Sequence, residues 1–326
     1  MPTILDVARH AGVSMKTVSR VLNQEAHVRP ALQAKVKEAV EALGYRPNLA
    51  ARQLAGQRSF IIAYPFNNPS PAYITEVLMG AARACRDKGY HLVSEPIDLG
   101  EEALEMIERL VRTLRPDGMI LTPPLCDMAR VVEHVERLKV PLVRIAGGLD
   151  LYGEAIQMDD RAISREMVAH LVQQGHRRIG FVLPHPDHAM AQSRYRGYLD
   201  GLGDAGIAPE ESLIRPGRFD VESGAEAAHA LLDLPQPPTA IFAANDYMAL
   251  GAMRVAHSRG LAIPGDVAIA GFDDSSGSRL AFPALTTVRQ PVRALGETAA
   301  AMLLGEKVDL SQLRHELLIR PSTAIC

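Results

Sequence analysis

The chain has 326 residues, and 47% of them are hydrophobic, so it is long enough for several domains with separate cores. The chain has three cysteines, Cys85, Cys126 and Cys326. Their spacing is neither that of a disulfide framework nor that of a zinc site, which favours a reducing compartment. The sequence shows no signal-peptide pattern and no apolar run of about 18 residues, so we expect a cytoplasmic protein without a membrane partner.

The charge is distributed unevenly along the chain. The net charge is only −3, yet residues 1–58 contain nine basic and four acidic side chains, so the remainder carries −8. A basic front segment on an acidic body is typical of a protein whose first segment alone binds a polyanion.

The first sixty residues predict three short helices. Thr3 and Asp6 have the spacing of a capping box, and apolar residues at helical spacing follow them. Gly12 is expected to end this helix, and Ser14 to cap a second one. Pro30 is expected to open a third helix that covers the other two. Two short helices joined by a glycine turn are typical of a helix-turn-helix.

Two runs in this segment resemble one known family. Residues 4–23, ILDVARHAGVSMKTVSRVLN, are similar to the headpiece signature of the lac/gal repressor family of bacterial transcription regulators. Residues 44–48, GYRPN, with Ala51 and residues 54–56, LAG, resemble that family's hinge. The resemblance extends to about residue 321. It implies a nucleoid-associated repressor that binds double-stranded operator DNA.

The second helix supplies the predicted DNA contacts. Its apolar side must face the other helices, so its polar side points outward, as in a recognition helix that enters the major groove. The resemblance places Met15, Lys16 and Arg20 at base-contacting positions. The phosphate contacts are expected from three further residues: Ser14, Thr17 and Asn23. The alternative is a solvated charged face on a small helical bundle.

Residues 47–58 are expected to form a hinge helix and linker. The helix has only about two turns and is marginal alone. In the resembling family, two such helices pair on the operator and insert a leucine into the minor groove. The resemblance assigns that wedge to Leu54, and it assigns the close approach of the paired helices to Ala51. Packing of Leu54 against the core is the alternative.

From residue 59 onward, short apolar strands alternate with amphipathic helices, which predicts a doubly wound α/β fold. Seven strands are expected, at residues 60–64, 90–94, 118–122, 142–146, 179–183, 240–244 and 267–271. So much α/β repetition suits two parallel-sheet subdomains with a cleft between them, as in the resembling family and in periplasmic sugar-binding proteins.

The predicted domains are a helix-turn-helix headpiece at 1–46, the hinge at 47–58 and the core at 59–326. The resemblance implies that the chain crosses between the subdomains three times, near 159–163, 288–291 and 319–322. The amino-terminal subdomain is then expected at about 59–160 and 291–320. The carboxy-terminal subdomain is expected at about 161–290, together with the last residues of the chain.

Ligands of parallel sheets lie beyond the carboxyl ends of the strands. Asn245 and Asp273 follow predicted strands, and Tyr73 lies in the first strand-to-helix loop. The resemblance also matches Asn245 and Asp273 to effector-binding positions, and it adds three residues: Arg194, Phe219 and Gln290. A carboxylate, a guanidinium and an aromatic face together suit the hydroxyls and the ring face of a sugar.

Each of these residues also has a structural interpretation. Arg194 can belong to a structural salt bridge, Asn245 can cap the next helix, and Asp246 and Asp274 can act as helix caps or hinge ties. The family often has an acidic residue after its fourth strand, whereas this chain has Arg144 within that strand. That arginine indicates either a charged effector or an outward-facing side chain without a role.

The sequence contains no dinucleotide-binding, nucleophile-elbow or phosphate-loop motif, and His185 and His188 form no metal set. We therefore expect no enzyme, no catalytic residues, no metal and no cofactor. The chain stops at Cys326 without a leucine heptad tail, which favours a homodimer on a pseudo-palindromic operator. The alternatives are a periplasmic-type sugar receptor and a carbohydrate-active enzyme fused to a DNA-binding segment.

Overall fold

The computed structural model describes residues 2–22, 28–45, 58–146, 151–183 and 189–324, with only the backbone described at 189–191. The chain divides into two compact units, residues 1–60 and 61–326. The described part of the first unit contains three helices: α1 (Ile4–Ala11), α2 (Met15–Leu22) and α3 (Pro30–Ala42).

The local signals predicted for the first unit are present. The Asp6 carboxylate accepts a hydrogen bond from the Thr3 amide at 2.8 Å, and the Thr3 hydroxyl accepts one from the Asp6 amide at 3.3 Å. Gly12 ends α1 with a φ of +64°, a conformation that favours glycine. The Ser14 hydroxyl accepts from the Thr17 amide at 3.1 Å and caps α2. Both predicted helix starts are therefore confirmed.

The first sheet of the second unit is entirely parallel, with the strand order β2-β1-β3-β4-β5. Its strands are β1 (Ile61–Phe66), β2 (His91–Pro96), β3 (Gly118–Leu121), β4 (Leu142–Ile145) and β5 (Glu154–Ile156). The following helices pack against it: α4 (Pro71–Asp87), α5 (Ala103–Leu114), α6 (Ala129–Arg137) and, from later in the chain, α12 (Val292–Leu303).

Helices α4 and α12 approach each other closely through two glycines. A Cβ atom at Gly80 would lie 1.9 Å from the Arg293 carbonyl oxygen, and one at Gly296 would lie 2.3 Å from the Val77 carbonyl oxygen. Because a Cβ atom at either position would clash with the backbone of the facing helix, only glycine permits this contact. The contact packs α12, which comes from near the end of the chain, against the first sheet.

The second sheet is also parallel, with the order β7-β6-β8-β9. Its strands are β6 (Ile179–Leu183), β7 (Ile214–Pro216), β8 (Ala240–Ala243) and β9 (Ala268–Ala270). Its helices are α7 (Asp160–Gln173), α8 (Ala189–Asp204), α9 (Val221–Leu232) and α10 (Asp246–Ser258), and the short α11 (Ser276–Leu280) follows β9.

A two-stranded antiparallel ribbon, β10 (Thr287–Arg289) and β11 (Glu316–Leu318), lies where the chain passes between the sheets. The chain passes after β5, after β10 and again after α12, and the Ser322 carbonyl then accepts from the Ile269 amide at 3.0 Å. The predicted domain boundaries stay a prediction.

All seven predicted strands are present, and the predicted fold of an all-α unit followed in the chain by two doubly wound parallel sheets is confirmed. The sequence analysis did not predict β5, β7, β10 and β11, which have three residues each and lie outside long apolar runs. The equally short β9 was predictable because it lies within the buried apolar run 267–272. None of the described helices combines the length and apolar character that a membrane-spanning helix requires.

Candidate functional site

The outward face of α2 carries the predicted base-contacting side chains. Met15 is 51% exposed, and Lys16 and Arg20 are also exposed. Val18 and Val21 are buried on the opposite side of the helix against the rest of the first unit. The expected orientation of α2 is thus present.

The predicted phosphate contacts begin at the start of the same helix. Ser14 is exposed and Thr17 is half-buried, and their hydroxyl oxygens lie 2.9 Å apart. Asn23, Ala51 and Leu54 lie outside the described residues, so their predicted contacts with DNA stay predictions.

The six predicted effector residues all line one cleft, although they come from widely separated parts of the chain. The cleft encloses about 520 Å³ of empty space, including its open mouth. One wall follows strands of the first sheet and contains Tyr73 together with Asn68, Pro69, Ser70, Pro123 and Ala146. The other wall contains Arg194, Phe219, Asn245 and Asp273, and Gln290 lies just after β10.

Arg194 on α8 is held tightly within the second wall. It is only 6% exposed, its Nε donates to Asp160 Oδ2 at 2.7 Å, and its Nη1 donates to the Ala244 carbonyl at 2.6 Å. Its guanidinium carbon lies 3.6 Å from the centre of the Phe272 ring. The structural salt bridge considered for Arg194 is therefore present, and the same guanidinium lines the cleft.

The sequence reading missed the partners behind Arg194. Asp160 is fully buried at the start of α7, and His315 Nε2 lies 3.0 Å from its Oδ1. Burial alone would raise the pKa of Asp160, but Arg194 and His315 outweigh it and hold the pKa below its usual value. The sequence contained a usable signal for Asp160, because an acidic residue at a predicted crossing between subdomains is a candidate site residue. It contained no comparable signal for His315.

Asp273 and Gln290 form a second pair in the cleft. Gln290 Nε2 donates to Asp273 Oδ1 at 2.6 Å, and Arg194 Nη1 lies 3.9 Å from the same oxygen. Asp273 has a φ of +121°, a strained conformation for a residue other than glycine. Burial raises the pKa of Asp273 to about 6, although Arg194 and Gln290 oppose the rise. The carboxyl therefore holds a proton more tightly than an exposed aspartate.

Asn245 caps α10, which confirms the structural interpretation of this residue. Its Oδ1 accepts from the Met248 amide at 2.9 Å, and its Nδ2 donates to the Phe219 carbonyl at 3.0 Å. Phe219 itself has a φ of +66°. The Asn245 amide thus fixes the loop that presents the Phe219 ring to the cleft.

The neighbouring acids tie segments together, as expected. Asp246 accepts from the Ser275 amide at 2.6 Å and from the Thr287 hydroxyl at 2.5 Å. Asp274 pairs with Arg289 and Arg320.

The first wall is polar but carries no formal charge among its described residues. Ser70 caps α4 by accepting from the Tyr73 amide at 3.3 Å. Asn68 accepts from the Ser70 amide at 2.9 Å and donates to the Pro123 carbonyl at 3.1 Å. Burial raises the pKa of Tyr73 well above its ordinary value, so its hydroxyl stays neutral. The sequence reading missed Asn68 and Ser70, although they lie in a loop that directly follows a predicted strand.

Arg144 does not belong to the described lining of the cleft. It is 2% exposed, and its Nη2 donates to the Leu151 carbonyl at 2.9 Å. Its side chain is therefore neither directed outward nor placed for a charged effector. His185 and His188 lie outside the described residues, and the described residues contain no group of three or more potential metal ligands.

Comparison with known proteins identifies the family. Residues 3–48 match the model for bacterial regulatory proteins of the lacI family, and residues 168–324 match a periplasmic binding protein-like domain. Catabolite control protein A from Priestia megaterium is 35% identical over 337 residues, covering 98% of this chain and 99% of that protein. The chain belongs to the lacI family of bacterial regulatory proteins.

Solved structures of lacI-family regulators share the fold. The lac repressor dimer bound to operator and the anti-inducer ONPF matches with a TM-score of 0.82 and 31% identity over 99% of both chains. The complex of the transcriptional regulator CelR with cellobiose matches with a TM-score of 0.74 and 29% identity, covering 99% of this chain and 100% of that one. This lacI-family chain is a DNA-binding transcription regulator with a ligand-binding core.

Proposed function

We propose that this regulator represses transcription as a homodimer on a pseudo-palindromic operator, and that a small sugar in the cleft sets its affinity for that operator. The observation that carries the proposal is the convergence of Tyr73, Arg194, Asp273 and Gln290 from separate segments on one cleft. A ligand that contacts both walls favours one angle between the subdomains and so shifts a two-state equilibrium.

The chemistry of the cleft supports a sugar. Asp273 can accept hydrogen bonds from neighbouring hydroxyls, Arg194 can donate to their oxygens, and the Phe219 ring offers an apolar face. The neutral groups Asn68 and Tyr73 on the opposite wall suit further hydroxyls. CelR, a structural neighbour of this chain, is known in complex with cellobiose.

For the DNA side, we propose that α2 lies in the major groove. Met15, Lys16 and Arg20 would read base edges there, and three residues would bind phosphates: Ser14, Thr17 and Asn23. We further propose that paired hinge segments meet at Ala51 and insert Leu54 into the minor groove. Leu54→Ala is then expected to weaken specific operator binding strongly and non-specific binding little, and equal losses would contradict the wedge.

An exposed apolar pair supports the dimer. Leu280 and Phe282 are 84% and 88% exposed, and they lie at and just beyond the end of α11. Large apolar side chains that stand together in solvent often mark a protein contact. We propose that this pair belongs to the contact between two copies, which places two headpieces on successive half-sites.

Thermal-shift screening of the purified protein against monosaccharides, disaccharides and their phosphates tests the proposal. A bound sugar is expected to raise the melting temperature by mass action. The same sugar should then change operator affinity in a mobility-shift assay. Arg194→Ala should abolish both effects, whereas Arg196→Ala, an exposed site on the same helix, should abolish neither. A screen without any shift would contradict the proposed ligand class.

We propose that the protein binds its sugar without turnover and works in the cytoplasm, where its operator lies. Overnight incubation with the sugar that gives the largest shift, followed by product analysis, tests the first point. Unchanged sugar is expected, and conversion would favour the alternative of a carbohydrate-active enzyme.

A further inference from the structure

Two side chains from the passages between the sheets lie behind Arg194. Asp160 begins α7 after the first passage, and His315 precedes β11 on the third. Asp160 contacts Arg194 directly, and His315 contacts Asp160. Neither belongs to the described lining of the cleft, whereas Arg194 does.

The two oxygens of Asp160 have different partners. Oδ2 accepts from Arg194 Nε at 2.7 Å. Oδ1 has no hydrogen-bond partner among the described residues, and His315 Nε2 approaches it to 3.0 Å. The Asp160 side chain is fully buried, and that of His315 is 5% exposed. A carboxylate held at one oxygen can rotate, whereas a polar neighbour at the other oxygen fixes its plane.

Phe272 packs the same two partners together. The guanidinium carbon of Arg194 lies 3.6 Å from the centre of the Phe272 ring. The His315 ring meets Phe272 edge-on, at 5.6 Å between centres and an angle of 72°. His315 is therefore confined against Asp160 and has little room to move away.

We infer that His315 is a positioning residue of the cleft, which orients Arg194 through Asp160. The inference deepens the proposed function, because the orientation of Arg194 matters to a ligand in the cleft. Its test uses the ligand-free protein, so a failure of the proposed sugar would leave the test intact.

The experiment follows the Nε proton of Arg194 by NMR in the full chain labelled with ¹⁵N-arginine. The signal is assigned by its loss in Arg194→Lys. Hydrogen exchange at this proton is expressed relative to free arginine at the same pH, which removes the intrinsic pH dependence. All variants are compared with the wild-type protein at one pH, where the wild-type protein is expected to protect this proton, because Asp160 Oδ2 accepts it at 2.7 Å.

His315→Leu is expected to lower the protection about tenfold, since Asp160 loses the polar neighbour at its second oxygen. His315→Gln keeps a side-chain N–H donor at this position, and we expect it to restore most of the protection. His91→Gln, at an exposed histidine on β2, is the matched control and should behave as wild type.

Equal protection in wild type and His315→Leu would overturn the inference, and so would losses of equal size in His315→Leu and His315→Gln. If His315→Leu does not fold, His315→Ala takes its place: a loss of protection that His315→Gln restores supports the inference, and protection like that of wild type in His315→Ala overturns it.

Discussion

Helix α2 and the cleft are built in opposite ways. On α2, Met15, Lys16 and Arg20 lie on one face of an eight-residue helix and are exposed. In the cleft, Arg194 and Asn245 are buried and already bonded to protein groups. We therefore expect the exposed face of α2 to tolerate substitution without loss of stability. In the cleft, we expect a substitution to affect the stability of the fold together with the proposed ligand binding.

The largest effect is expected from Arg194→Ala. The substitution leaves Asp160 buried without its guanidinium partner, and breaking a buried ion pair costs about 3–5 kcal/mol. Urea unfolding should show this loss, and Arg196→Ala on the same helix should be near wild type. Equal stability of the two variants would show that the buried Arg194 contributes no more to the stability of the fold than the exposed Arg196.

Phe282→Asp is expected to break the proposed dimer without disturbing either core, because the side chain is 88% exposed. A buried aromatic residue at an interface contributes about 2 kcal/mol or more. Sedimentation velocity should show monomers at concentrations where wild type is dimeric. Leu310→Asp, at another exposed apolar side chain, is the control. A dimeric Phe282→Asp protein would exclude this contact.

Arg20→Ala tests the exposed face of α2. Loss of a bidentate base contact should weaken operator binding by about 1–3 kcal/mol. Stability should change by less than about 0.5 kcal/mol, because the side chain is exposed. Fluorescence anisotropy on the operator and on a random duplex measures the first effect, with Lys37→Ala on α3 as the control. A loss of equal size on both duplexes would assign Arg20 to the phosphate backbone.

The smallest effect concerns pH. Burial raises the pKa of Asp273 to about 6, above its value in the unfolded chain. Between those two values unfolding releases a proton, so this group makes the free energy of unfolding fall as the pH rises. Asp273→Asn removes the contribution. Wild type should therefore lose stability relative to Asp273→Asn between about pH 4 and pH 7 in urea unfolding. A constant difference would contradict the raised pKa.

The same comparison explains what the sequence predicted. The orientation of α2 follows from local signals, namely the Ser14 cap and the spacing of Val18 and Val21, so it was predictable without tertiary contacts. Long strands such as β6 were predictable for the same reason. Short strands outside a buried apolar run, such as β7, depend on pairing with a neighbour and leave no pattern.

In the cleft, resemblance and strand ends identified six residues that the fold brings together. They did not identify Asp160 or His315, although the predicted crossing at 159–163 offered a signal for Asp160. The contact between these two residues joins positions 155 apart in the chain and forms only in the folded core. Resemblance and strand ends also did not show that Asn245 both caps α10 and lines the cleft.

The account depends on control of α2 by the cleft. Its most direct test is the affinity of the intact protein for a duplex selected from random sequence, measured at fixed salt with and without the sugar that raises the melting temperature. We expect a clear preference for the selected duplex and a change of about tenfold in its Kd when the sugar binds, a typical coupling between two sites. Identical binding curves with and without the sugar, or no preference over random DNA, would contradict the account.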